Sequence, residues 1–543
     1  MRIPAILLLG AMGLTVPTAA REVIDASPPS DLSVTIYRDS ERDPDAPLVR
    51  DNPRGFALIS ETRKVTLPAG QTTIRFEGVA EGMIGVSAIV TGLPGGTIEK
   101  NRNAQLLSPA ALVDGTLGNR VTITRTNPVT GAQVSQEAVV RTRADGGLVL
   151  QTGEGFEAVR CSGLPEALAF DRVPDGLSSS PVFSVDTISP RGGTYDVTLT
   201  YLAWGFDWQA DYVATLKETT RKRDEDFDLR LLSWLTLVNE NGQSFNNARL
   251  QIIAGKLNVE SNYEGLADPP VAEPLRLECY PIGSTSAGIA LPAPPPPPPP
   301  PGVMEMQDRT IVVTGSRLQA PAMMATPVKV MTADEEDLGD LKLFRVPVRV
   351  DVAAKGMKQV AFLNKDDVRA RYLYQITCDA GTWIDPDSGV DEPAELLLTS
   401  RNEPAKGLGV ALPQGKLTLY EPSPTGLHVA AQANLRDYAR GQDMELSLGT
   451  SAQVFARCGA SKPGGVSEAR GQWNGMQARL TNGNPHPVRM RLQLAWGGGY
   501  DIKFPQQQIA QKNGYQTVVV TIPANTSRTY HWKLRDRTNS ALR

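Results

Sequence analysis

The stretch "TYDVTLTYLAW" at residues 194–204 decides the fold class. Tyr195, Val197, Leu199 and Tyr201 alternate with Asp196, Thr198 and Thr200. A period of two puts one set on each face of an extended strand, the signature of a half-buried antiparallel sheet. "VRMRLQLAW" (488–496) has the same alternation, with Val488, Met490, Leu492, Leu494 and Trp496 against Arg489, Arg491, Gln493 and Ala495. In "RTYHWKLR" (528–535), Tyr530, Trp532 and Leu534 share a face and His531 points the other way. Turn chemistry separates such runs: "LPAGQ" at 67–71, "NPVTG" at 127–131, "NENG" at 239–242 and "TNGNP" at 481–485. With 49 glycines and 42 prolines as punctuation and little helical periodicity, the chain is predicted to be mostly β, a multidomain arrangement of antiparallel β-sandwich and small-barrel units.

A length of 543 residues suggests three or four domains. Residues 1–20, "MRIPAILLLGAMGLTVPTAA", read as a secretory signal peptide: Arg2, an apolar run from Ile3 to Val16, then small residues ending at Ala20. Their apolar run falls short of the ~20 residues a membrane span needs, and no later stretch reaches that length. A β domain is expected over 21–110, carrying the hairpin "ALISETRKVTLPAGQTTIRFEGV" (57–79), and a small barrel-like domain over 111–182. The main β-sandwich domain begins at 183 and runs to 259, with separate strands at 194–204, 208–218, 228–239 and 247–255. Residues 260–342 read as a disordered proline-rich insertion, including Pro294–Pro301, a polyproline rod of about 25 Å. The sandwich resumes over 343–543.

Charge and composition exclude several function classes. The formal net charge is −4 with no basic block, so a nucleic-acid footprint is absent. His428, His486 and His531 are the only histidines, and they are far apart, which limits imidazole chemistry. No Gly-x-Ser-x-Gly elbow and no His-Glu-x-x-His pair occurs. "WIDPDSGVDE" (383–392) lacks the glycine and glutamate positions of a calcium loop. Neither a cofactor nor a metal nor a catalytic residue is predicted. Scattered carboxylates leave an envelope hydrolase as a remote alternative.

Export would place the four cysteines in an oxidising compartment. Cys161, Cys279, Cys378 and Cys458 allow three pairings. Pairing Cys161 with Cys279 and Cys378 with Cys458 keeps each bridge on one side of the proline insertion. The aromatic group Tyr201, Trp204, Phe206, Trp208 and Tyr212 offers a possible ligand or glycan platform; packing between sheets explains the same residues as buried area.

Two resemblances bear on function. "VTLTYLAWGFDWQADYVATL" (197–216), "LRLLSWLTLVNENGQSFNNARLQIIAGKL" (229–257), "QARLTNGNPHPVRMRLQL" (477–494) and "VVVTIPANTSRTYHWKLR" (518–535) resemble the family called domain of unknown function 4139, also labelled mucoidy-inhibitor-A-like. "RKVTLPAGQTTIRFEGVAEGM" (63–83) is similar to that family's leading domain. The resemblance implies a β-rich, non-enzymatic scaffold or binding protein of the Gram-negative envelope, exported to the periplasm, whose partner would be an envelope protein or glycan. It supplies no catalytic residues. This chain departs from the family in lacking a coiled coil and in carrying the proline insertion. Separately, Thr310, Ile311, Val312, Val313, Thr314, Gly315, Ser316 and Arg317 resemble the segment that outer-membrane receptors offer to TonB. They form a possible docking strand by sheet-edge addition, and make an accessory role in TonB-linked transport the alternative reading.

Overall fold

The computed structural model describes residues 21–537 except for 278–331 and shorter segments, among them 160–164, 218–224, 258–262, 268–275, 386–389 and 464–470. The signal-like residues 1–20 and most of the proline insertion lie outside the described residues. The chain is mostly β, in several sheets. The insertion ends earlier than expected, because Asp334–Leu338 and Leu341–Arg345 form an antiparallel hairpin.

Strands β1 (Asp31–Tyr37) and β2 (Gly55–Leu67) are antiparallel neighbours, and β2 pairs along its length with β3 (Gly193–Leu216). The outward face of the β2–β3 pair is a polar ladder. Ser60–Thr200, Thr62–Thr198 and Thr66–Thr194 share hydroxyl hydrogen bonds of 2.9 Å, and Lys64 donates to Asp196 at 3.1 Å. Inward, Val197, Leu199, Tyr201 and Ala203 are fully buried. At Gly205 the register slips: Trp204 faces Phe56 and Phe206 faces Gly55, leaving Gly205 unpaired in a bulge with φ 88°. Beyond it the buried apolar residues are the even ones, Phe206, Trp208, Ala210, Tyr212, Ala214 and Leu216. The two strands expected at 194–204 and 208–218 are therefore one strand of 24 residues. The change of phase that resembled a break is the one-residue offset of a bulge.

Asn241 clamps this bulge. Its Nδ2 donates to the Trp204 carbonyl at 3.0 Å, and its Oδ1 accepts from the Gly82 N–H at 2.7 Å. Next to the bulge, buried Asp207 accepts from the Asp39 N–H at 3.1 Å, from its neighbour Trp208 at 2.7 Å and from the Arg42 guanidinium. Burial pushes its carboxyl up to about 6 against the opposing pull of Arg42.

Past the bulge, β3 pairs antiparallel with β4 (Phe227–Asn239) and parallel with the strand Gly415–Ser423. The next strand, β5 (Phe245–Ala254), runs parallel to β1. Residues 31–67 thus share a sheet with residues 193–254 and do not form a leading domain ending at 110. Gly70–Glu77 and Val182–Ser189 pair in a smaller sheet and give Ile74, Phe76, Phe183 and Val185 to the same core. Within 111–182, five strands between Arg120 and Phe170 form an antiparallel sheet with its own core of Val121, Ile123, Val140 and Leu150. Among the described residues its outer strands do not pair, so this sheet is open.

Another strand changes neighbours along its length, here between two sheets. In β6 (Gly356–Thr377), residues up to Ala370 pair with β4. From Arg371 onward it pairs with β7 (Glu392–Arg401), which in turn pairs with β8 (Asp443–Ala460), mainly along its first half. On its other side β6 runs parallel to β9 (Val488–Trp496), which pairs with β10 (Tyr515–Ile522). The second half of β8 joins Asn474–Asn482 in the facing sheet. Met490, Leu492, Leu494, Val518, Val520 and Trp532 fill the core between these sheets. In β9 the register shifts between Gln493 and Ala495, and Trp496, expected on the apolar face, is 63% exposed.

Cys378, at the end of β6, is bonded to Cys458 in β8 with a Cα–Cα distance of 4.9 Å, one of the two pairings expected. In the chain-entropy treatment a loop of 80 residues is stabilised by about 4–5 kcal/mol. Cys161 and Cys279 lie outside the described residues.

Two buried asparagines end their strands in the same way. Asn239 donates to the Gln243 and Ala353 carbonyls at 3.0 Å; Asn482 donates to those of His486 at 2.9 Å and Pro523 at 3.0 Å. Each accepts from the N–H two residues on, Asn241 and Asn484. The Asn-x-Asn turns in the two halves of the chain are therefore structural.

Glu61 and Arg63 point from β2 into the core, 2% and 3% exposed, with Arg63 Nη2 donating to Glu61 Oε2 at 3.1 Å. Glu61 Oε1 and Arg63 Nε have no hydrogen-bond partner among the described residues. Removing one member of a buried pair strands the other charge, whereas replacing both with apolar groups removes the desolvation cost. Glu61→Ala is expected to destabilise by about 3–5 kcal/mol, while the double variant Glu61→Leu/Arg63→Met is expected to be at least as stable as the parent. Urea unfolding monitored by tryptophan fluorescence measures both, and a double variant weaker than the single one contradicts this.

Candidate functional site

The crossover of β6 opens a trough of about 390 Å³. One face of each strand around it belongs to the cores, so the charged residues of alternating strands must take the other face. β6 presents Arg369 and Arg371, β9 presents Arg489 and Arg491, and β7 presents Arg401. Lys406 and Lys512 complete seven cations. Asp226, Asp443 and Glu445 are the three acids among them.

Arg491 lies on the trough floor, its side chain 9% exposed. It sits opposite Gln375 across the parallel β6–β9 pair. Its Nη1 donates to Gln375 Oε1 at 3.0 Å and Glu445 Oε2 at 2.9 Å, and its Nη2 donates to Glu445 Oε1 at 2.7 Å. Such a bidentate carboxylate contact fixes the guanidinium plane. Gln375 is held in turn by donating to Glu395 at 3.1 Å, and Glu395 accepts from Ser447 at 2.7 Å. Lys512 donates to Asp443 at 2.8 Å and stands 3.6 Å from Glu445. Burial pushes the Glu445 carboxyl up, but the hydrogen bonds and charge of Arg491, helped by Lys512, outweigh it and hold it below the ordinary range. The Lys512 hydrogen bond holds Asp443 low as well.

Toward the rim, Arg369 donates to Asp228 at 3.1 and 3.4 Å, Arg371 pairs with Asp226, and Lys406 stands 4.0 Å from Asp226. Arg489 differs from all of these, since it makes no hydrogen bond or ion pair among the described residues. It is half-buried and lines the trough.

The residues singled out from sequence lie elsewhere. Tyr201, Trp208 and Tyr212 are buried in the main core, where Tyr201 accepts from the Ala80 N–H at 3.2 Å and Tyr212 donates to the Pro413 carbonyl at 2.7 Å. Trp204 is half-buried beside the bulge. They do not form an exposed platform, because β3 changes face between Tyr201 and Trp208 and keeps both rings inside. The docking segment Thr310–Arg317 lies outside the described residues. Among the described residues no group of three or more His, Cys, Asp or Glu is placed to hold a metal ion, and no helix is long and apolar enough to cross a membrane.

The trough was not found from sequence, although a signal was present. "VRARYLYQ" (368–375) and "VRMRLQLA" (488–495) carry the same Val-Arg-x-Arg start, and they become parallel neighbours. No protein-family model matches this chain, and no curated protein matches it.

Because folding lowers the Glu445 and Asp443 values, their stabilisation is complete above the unfolded carboxylate range, about 4, and is lost as pH falls through the folded values. Glu445→Gln leaves Arg491 without its counter-charge and is expected to destabilise by about 3 kcal/mol or more at pH 7. That deficit is expected to shrink below about pH 4 as the parent is protonated. Urea titrations from pH 7 to 3 test this; a deficit independent of pH contradicts it.

Proposed function

We propose that this chain is a non-enzymatic, β-rich protein of the Gram-negative cell envelope, a scaffold or binding protein whose trough holds an anionic ligand. One observation carries the binding part: seven basic against three acidic side chains converge at the β6 crossover of a chain whose formal net charge is −4. A cleft lined by one sign of charge concentrates the opposite ion, and guanidinium groups orient it through charge-assisted hydrogen bonds. Support for the envelope comes from the signal-like residues 1–20 and the resemblance to domain of unknown function 4139. A glycan-cleaving hydrolase has less support. It needs one carboxyl that keeps its proton near neutral pH, and Asp443 and Glu445 are both held low.

Chromatography on immobilised dextran sulfate at low salt tests the binding reading. The chain without residues 1–20 is expected to be retained despite its negative net charge and released by salt, while Arg371→Gln/Arg489→Gln is expected to elute early. Flow-through of the parent, or equal retention of the variant, contradicts the reading.

A further inference from the structure

We infer that the anion is a phosphoryl or sulfuryl ester on a sugar-sized molecule, with Arg489 as its contact cation; this rests on the anion-binding reading above. Arg489 and Arg491 are two apart on β9, so they share a face and stand about 6.6 Å apart along the strand. Arg491 commits three N–H donations to Gln375 and Glu445, leaving two of a guanidinium's five. Among the described residues Arg489 has all five free, and Lys512 has two left beyond its bond to Asp443. A carboxylate offers two oxygens to this set. A phosphate or sulfate monoester offers three terminal oxygens in a tetrahedral arrangement, which can meet donors arriving from separate strands. A phosphate monoester also brings close to two negative charges, matching the cation excess.

The volume argues for more than a bare ion. About 390 Å³ lies within the range of pockets that hold small organic ligands and far exceeds one tetrahedral anion. Among the cations the lining also holds Leu373, Met444 and Val519 and the hydroxyls of Thr399, Ser400 and Thr517, each of which donates to a backbone carbonyl and keeps lone pairs to accept from a ligand. Apolar contacts and hydroxyl acceptors within one lining suit a pyranose, which presents both carbon-bound hydrogens and hydroxyls.

Isothermal titration of the chain without residues 1–20, at low ionic strength, separates the possibilities with four probes: glucose 6-phosphate, glucuronate, inorganic phosphate and glucose. Glucose 6-phosphate is expected to bind at least tenfold more tightly than glucuronate or inorganic phosphate, and glucose not to bind. Arg489→Gln is expected to weaken glucose 6-phosphate at least tenfold with an unchanged melting temperature, because the Arg489 side chain makes no hydrogen bond or ion pair among the described residues, and Arg489→Lys to recover part of the loss. Arg479→Gln, on an exposed strand face outside the trough, is expected to bind like the parent. Glucuronate binding as tightly as glucose 6-phosphate overturns the ester inference while leaving an anion site. Inorganic phosphate binding equally overturns the sugar-sized body. An unchanged affinity in Arg489→Gln overturns its role, and failure of every anion overturns both this inference and the reading beneath it.

Discussion

Gly205 inserts one residue into the ladder between β2 and β3, and that slip moves the apolar set of β3 from odd positions to even ones. Side chains on a strand alternate strictly, so without the slip either Val197–Ala203 or Phe206–Leu216 would turn its apolar residues to water. Glycine meets the φ of 88° at little cost, and Asn241 holds the carbonyl just before it. A bulge also bends and twists its strand, which lets β3 exchange β2 for β4 and Gly415–Ser423 as its neighbours within the same sheet.

The same solution recurs in β6 and β8, each of which serves different partners in its two halves. Shared strands tie the cores together through covalent continuity, and the Cys378–Cys458 bridge locks the end of β6 to β8. They also leave a concavity where a strand changes partners. On the polar face of β6 and β9 the arginines cannot turn inward, so like charges gather there. The fold offsets most of that repulsion with Asp226, Asp228, Asp443 and Glu445. Among the described residues Arg489 is left without such an offset.

Much of the strand content was legible because alternation survives locally, as in Tyr195–Tyr201 and Met490–Leu494. Changes of phase were not. At Gly205 the slip suggested two strands, and in β9 a shift before Ala495 turned Trp496 outward. Sheet membership was also hidden: nothing local in Asp31–Tyr37 says that its parallel partner is Phe245–Ala254. The trough escaped for the same reason, since the two Val-Arg-x-Arg strands that build it are distant in the chain and meet only through β6–β9 pairing. The aromatic group was visible in sequence, but whether its rings face a ligand or a core depends on a second layer that alternation alone does not reveal.

Continuity of β3 through the bulge is best tested by native-state hydrogen exchange, comparing the amides of Val197–Tyr201 with those of Ala210–Ala214. One continuous strand that changes neighbours at a bulge should open as one unit, so both groups are expected to exchange with the same free energy and the same dependence on denaturant. Two separate classes, with one half exchanging while the other stays protected, would mean that the two halves are independent and that Gly205 is a break in the strand.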